Sequence, residues 1–454
     1  MTSEVTKLDI EPRVPVTEAA RQEGWVSAAL AQAGKLQEGV ALPSEVRERV
    51  AQARGVWSKV LFPTPRLEAW KYTNTESISK GPFVVSAGPA NDAGAVELFE
   101  QGVIKGFDTS SIVVFVDGVF SSKYSTIVSE AGVEVTRLSE GTQATRRVGD
   151  LGQHCEEPFA ALATALISDC VCISVRRGHV ARTPIQIIHI ATNAMHGGVV
   201  TPRVRVDAAE NSRVTVVESH VGAQSTRYLS LPMVELCAEQ GAVIDYYKVQ
   251  AESEAAYHVA GVTATQAKDS EIRTHLFAFG GALVRNNAQA LLQGAGAQAL
   301  LNGLSLLPQN QHVDNATSIH HIEPHAESRE HFKGIYGDSS KGVFSGTITV
   351  EKIAQKTNAF QSNQALLLSS DASIESRPQL KIWADDVKCT HGATVGQLDA
   401  DALFYLRSRG ISQQDARAFL VHAFASEVLS SVSVAPVKER VEQMITQKLS
   451  AVLT

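Results

Sequence analysis

Cys389 and His391 put a thiol and an imidazole two residues apart, in the stretch Lys381-Ile-Trp-Ala-Asp-Asp-Val-Lys-Cys-Thr-His-Gly-Ala-Thr-Val-Gly396. Both are ligands for soft metals. On an extended strand, side chains two apart share a face, and their backbone positions lie roughly 7 Å apart, so the two donors project together. A closed tetrahedral zinc site takes four protein ligands, and iron–sulfur clusters are held by several thiolates, in some proteins with imidazole. One Cys and one His therefore make half a site. The rest comes either from distant segments of this chain or from a second chain. A lone Cys-x-His is a weaker motif than paired Cys-x-x-Cys spacings, and the bland alternative is a small buried thiol with a histidine closing the strand.

Two other groups of soft donors stand out. His312, His320, His321, His325 and His331 supply five of the fourteen histidines within twenty residues. Their intervals are irregular, no His-Glu-x-x-His grammar is present, and Glu323-Pro324 marks a loop. A solvated or locally hydrogen-bonded set is the favoured reading, with His321 and His312 kept as second-rank metal ligands. Cys170 and Cys172 share one face of the run Cys170-Val-Cys-Ile-Ser-Val175, and with no further ligand nearby they read as core packing.

The composition bounds what can position these residues. The 454 residues are 44% hydrophobic and 20% charged, with mean hydropathy near zero, as in an ordinary globular protein. That length suggests two or three domains, or one elongated body with appendages. A net charge of -7 and a pI near 6.1, without a basic cluster, argue against nucleic-acid binding. The N-terminus lacks a secretory signal, and no apolar run is long enough to cross a bilayer. Five scattered cysteines, Cys155, Cys170, Cys172, Cys237 and Cys389, form no disulfide framework. A cytoplasmic location is the expectation.

Residues 17 to 61 read as two helices, the second capped by Ser44 and presenting Val46, Val50, Ala53 and Trp57 on one face. Phe62-Pro-Thr-Pro65 ends it. In Arg66-Leu-Glu-Ala-Trp-Lys-Tyr-Thr-Asn74 the aromatics read as packing onto the next domain. Ile112-Val-Val-Phe-Val116, Asp117-Gly118 and Val119-Phe120 form a strand, a two-residue turn and a returning strand. Between 200 and 380, polar turns beginning at Ala209, Glu239, Ala267 and Gly294 recur at intervals of 30, 28 and 27 residues, each followed by a β-rich or apolar run. Repeats of that length without a helical pattern predict a stacked β-solenoid. Its last rung must be covered or paired, because an open strand edge invites another chain. From Asp399 onward the pattern is helical: Asp399 or Asp401 caps one helix, and Gly410 ends it. Ser412 and Asp415 open a second helix, with Ala416, Phe419, Leu420, Ala423, Phe424 and Val428 as its buried face. A third, after Pro436, carries Val437, Val441, Met444, Ile445 and Val452. These helices either cap the solenoid or dock a partner.

Arg66–Asn74, Phe115-Val-Asp-Gly118, His312-Val-Asp314, Lys381–Gly396 and Leu403-Phe-Tyr-Leu-Arg-Ser-Arg-Gly410 together resemble the SufB/SufD family of iron–sulfur cluster assembly subunits, from about residue 60 to the end. The SufD branch is the better match. SufB members typically carry Glu-His-Glu-Ala-Thr-Thr where this chain has Lys388-Cys-Thr-His-Gly-Ala393. The resemblance implies a helical N-terminal domain (1–105), a right-handed parallel β-helix core (106–396) and a helical C-terminal domain (397–454). It implies a non-catalytic scaffold that pairs with the paralog SufB and docks the ABC-type ATPase SufC through the C-terminal helices. Cys389 and His391 would then meet SufB and share iron or a transient iron–sulfur cluster with it, which leaves homodimerisation of the isolated chain open. With no G-x-x-x-x-G-K-[ST] loop, nucleotide binding falls to the ATPase. His391 is the more trusted ligand, because Asp385 and Asp386 beside the thiol oppose its ionisation. The rivals are a β-helix carbohydrate-active enzyme with paired carboxylates and a zinc hydrolase using the histidine-rich segment.

Overall fold

The computed structural model describes residues 24–40, 42–88, 94–107, 109–150 and 157–452. Cys155 and the expected helix start at residues 17–23 lie outside them. The body is a parallel β-solenoid of two facing sheets. One runs from Val133–Arg137 through Val171–Val175, Arg203–Ala208 and His312–His321 to Ser373–Ile382, and the other from the hairpin Ile112–Val116/Val119–Phe120 through Arg213–Gly222 and Val243–Ala251 to Lys388–Gly396. In the second sheet Val243 pairs with Glu271, Glu271 with Gln298, Gln298 with Glu327, Glu327 with Asn358 and Asn358 with Lys388. Equivalent residues of successive rungs therefore stack. Alternating positions face inward, and Ile187, Val214, Val216, Ile244, Val262, Ala264, Ile272, Ala288 and Ile348 fill the interior.

The recurrent turns are the solenoid corners. Asn211, Asp269, Gln309, His325, Asp338 and Lys356 all have positive φ there, between 47° and 63°. Asn and Asp tolerate this region best. Gly241 and Gly296 fill the same role. Asp117 and Gly118 both have positive φ, and Val116 pairs with Val119 antiparallel, as the Asp-Gly turn predicts.

Helices cover the flanks of the solenoid rather than its ends. Val26–Glu38 and Ser44–Val60, together with Trp70 and Phe159, pack against Val199, Leu229, Met233, Val259 and Leu283 on the outside of the first sheet. The Ser44–Val60 helix buries Val46, Val50, Ala53 and Trp57 as expected, but Pro43 holds the cap position and the Ser44 hydroxyl turns to Glu45. Pro43 lies outside the helix at ψ 148°, and its fixed φ suits that position. Trp70 is buried beneath the Arg285 guanidinium, 3.9 Å from its ring centroid.

Gln413–Leu429 and Ala435–Val452 lie on the outside of the second sheet, with Val421, Ala425, Val428, Val437, Val441 and Ile445 against Val217, Tyr247, Phe277, Leu304, Leu306 and Ile335. The expected buried face of the first of these helices holds at Ala416 and Val428 and is rotated between them. Val421, Ala425 and Leu429 face the sheet, whereas Phe419 is 63% exposed. Two overlapping apolar stripes satisfy the helical period, and the one carrying Val421, Ala425 and Leu429 is buried. Asp399 and Ser412 cap their helices through their side chains. Among the described residues, no helix is long and apolar enough to cross a membrane.

Candidate metal centre at the open end of the solenoid

Cys389 and His391 lie on Lys388–Gly396, the last strand of the second sheet. Cys389 pairs with Ala359 and His391 with Gln361, and both of those partners are buried inward-facing residues of the rung below. Residues in parallel register share a face, so the thiol and the imidazole point into the mouth of the bore. Cys389 is half-buried against the interior cluster, and His391 is exposed. Among the described residues no strand pairs with the free edge of Lys388–Gly396, nor with that of Ser373–Ile382 beside it. Phe360, Ile382, Trp383 and Val395 are exposed around this end.

Burial pushes the Cys389 thiol above its ordinary range, partly offset by a hydrogen bond from the Ala359 backbone. Burial, not the flanking carboxylates, sets that direction, and Asp386 is itself ion-paired with Lys356. The thiol is therefore protonated near neutrality and must lose its proton to ligate. Below His391, Gln361 Nε2 donates to Glu330 Oε2 at 2.6 Å. Glu330 is fully buried, and desolvation drives its carboxyl up to about 7.

The other candidates are engaged elsewhere. His312 Nε2 lies 3.0 Å from Thr73 Oγ1 of the N-terminal region, and Thr73 also donates to Asp314, the partner of Arg285. His321 Nε2 lies 2.8 Å from Ser328 Oγ, and burial followed by the charge of His320 takes its pKa down to about 4. His320 contacts Glu351 at 2.7 Å. Cys170 and Cys172 are buried with their sulfurs 3.9 Å apart, among Leu42, Val46 and Val50.

The sequence reading missed a buried group at the other end of the bore. His189 and His220 both approach Glu218 Oε1, at 2.9 and 3.1 Å, and His258 Nδ1 lies 2.6 Å from Glu252 Oε2. Burial opposes ionisation of both carboxyls. The hydrogen bonds from His189 and His220 nevertheless hold Glu218 well below the usual range, and His258 holds Glu252 at about 2. Burial lowers Lys248 to about 8. The signal was the inward period of Val214-Thr-Val-Val-Glu-Ser-His220, where Val214 and Val216 are followed on the same face by Glu218 and His220.

A family model for the N-terminal region of SufBD proteins matches residues 36–187, and one for the SufBD core domain of the SUF iron–sulfur cluster assembly system matches residues 189–424. The iron–sulfur cluster assembly protein SufD of Escherichia coli K12 is 33% identical over 394 residues, 86% of this chain and 89% of the relative. The chain belongs to the SufBD family. A SufBD family protein of Synechocystis is 31% identical over 400 residues, 85% of this chain and 87% of its own, and one of Mycobacterium leprae is 29% identical over 322 residues, 69% and 78%.

Proposed function

We propose that this SufBD family member is a scaffold subunit of iron–sulfur cluster assembly, without catalysis of its own, that pairs through the open end of its solenoid with a SufB-type paralog. Cys389 and His391 contribute two donors to iron or a nascent cluster, and the partner supplies the remainder. The observation that carries this reading is the pairing of an unmet strand edge with two soft donors aimed into the bore mouth on that same strand. An edge of this kind is a template for another chain, and half a ligand set is useful only where a second half arrives.

The C-terminal helices dock a SufC-type ATPase in this reading, and ATP-driven motion there opens and closes the paired ends. Phe404, Tyr405 and Phe419, exposed by 74%, 56% and 63% on those helices, supply the apolar contact. His312 and His321 take structural roles, bonding Thr73 and Ser328.

Co-expression with both partners tests the proposal. His391→Ala is expected to leave the complex intact on purification while cutting iron–sulfur absorbance at least tenfold. Full cluster content in that variant removes His391 from the mechanism, and failure of the wild-type chain to co-purify with either partner removes the scaffold.

A further inference from the structure

The first rungs of the solenoid have a divided interior. Toward one corner the inward residues are Ile185, Ile187, Val214, Val216, Ile244 and Tyr246; along the same strands they then become His189, Glu218, His220, Lys248 and Gln250. A polar core of this kind, fully enclosed, needs an electrostatic reason.

We propose that this polar core is a transition-metal site, taking a divalent first-row ion through His189, Glu218 and His220, with His258 and Glu252 forming a second, overlapping ligand group that shares His220. One donor atom from each residue of the first group lies within 4.8 Å of the others, and the same holds for the second. Two ligands about 2.1 Å from an ion and at right angles stand about 3.0 Å apart. The His189–Glu218 and His220–Glu218 contacts are 2.9 and 3.1 Å, so little rearrangement admits an ion. Two imidazoles and one carboxylate are the donor set of facial sites for ferrous iron, with positions left open.

The surroundings fit. Tyr246 donates to Glu218 Oε2 at 2.5 Å, and Tyr228 and Gln250 donate to Glu252 at 3.0 Å each. Phe115 stacks on His189 with ring centroids 5.4 Å apart. Such outer contacts hold ligands in orientation. Two buried carboxylates face a single ammonium, that of Lys248, which lies 3.1 Å from His258 Nε2; with neutral imidazoles one negative charge remains for a cation to meet. With Nε2 of each ring at Glu218, the Nδ1 atoms of His189 and His220 have no hydrogen-bond partner, and stacking of the two rings on each other at 4.6 Å holds their orientation instead. A cavity of about 20 Å³, lined by His189, Tyr228, Glu252 and Asp117, adjoins the group and has room for a water at an open coordination position.

The inference stands independently of the end-to-end pairing, and its test separates the two. The full-length chain carrying Cys389→Ser and His391→Ala, which blanks the open end, is dialysed against Co²⁺ and its visible spectrum recorded. One Co²⁺ per chain, with nitrogen–oxygen d–d bands and no thiolate charge-transfer band, is expected, together with a rise in the unfolding midpoint. Adding His220→Gln should weaken binding at least tenfold. Glu218→Gln and His189→Gln carry the same expectation should the His220 variant fail to fold. Absence of Co²⁺ from the blanked chain, or equal retention by folded variants of the three ligands, overturns the site.

Discussion

The two ends of the solenoid are finished in opposite ways. At the N-terminal end the outermost strands turn antiparallel, Val133–Arg137 against Val171–Val175 and the two-residue Val119–Phe120 against Ile112–Val116, and the Arg137 guanidinium covers the Phe120 ring at 4.2 Å. A short edge strand and a stacked cation blunt that end. At the C-terminal end Ser373–Ile382 and Lys388–Gly396 stop in full-length parallel strands, with most of their residues exposed and none fully buried. In the proposed pairing the bare end is the one that meets the partner. The interior follows the same division, with five histidines and carboxylates enclosed near the closed end and two donors held at the open mouth.

Charge offers the strongest way to break that comparison. Near the closed end Arg205 has no exposed side-chain surface and pairs with Asp150 at 2.5 Å, Asp207 at 2.8 Å and Glu235 at 2.7 Å, joining the first sheet to the N-terminal region. Arg205→Leu leaves the buried Glu235 with Arg203 as its remaining ion-pair partner and removes the Arg205 contacts of Asp207 and Asp150, and is expected to cost about 3–5 kcal/mol in urea unfolding. Toward the open end Arg377 pairs with Glu68, which is 71% exposed. Arg377→Ala should change stability by less than about 1 kcal/mol. Similar losses from both would show that the two ends are equally consolidated.

A second test lies inside the bore, two rungs in from the terminal strand. Glu330 titrates at about 7 against an ordinary 4.5, because burial disfavours its charge. The folded chain keeps this proton longer than the unfolded chain, so the group's contribution is fully present below about 4.5 and is lost as the pH rises to about 7. Glu330→Gln keeps an acceptor for Gln361 and removes the ionisation. It should stabilise the protein by on the order of 3 kcal/mol at pH 8 and leave it nearly unchanged at pH 4. A pH-independent difference would mean that the carboxyl is not desolvated, and that the bore is wet further in than the rung below the mouth.

Much of this architecture was legible, for identifiable reasons. Corners need left-handed backbone, so Asn211, Gly241, Asp269 and Gly296 announced themselves at a regular interval. The Asp117-Gly118 turn and the Asp399 and Ser412 caps are local hydrogen-bond chemistry, readable within a few residues. Phe419 was misread because helical periodicity defines a stripe only to within about one residue, and the flat sheet chose the neighbouring one. His189, Glu218, His220, Glu252 and His258 were invisible as a group because parallel stacking, not sequence proximity, brings them together. A search for polar residues at inward positions of an apolar period would have found three of them.

The smallest expected effect is the sharpest. Gly303, in the interior, would set an added Cβ 2.3 Å from the Phe332 ring, whereas Gly392, on the terminal strand beside His391, would meet nothing within 4 Å. Gly303→Ala is expected to cost about 1–3 kcal/mol by overpacking. Gly392→Ala should shift the stability of the isolated chain by no more than about 0.5 kcal/mol. Because that methyl touches nothing within the chain, any larger change in the isolated protein contradicts an open end. A change seen only with the paralog present, as weaker co-purification at unaltered stability, assigns the surface around Gly392 to the partner.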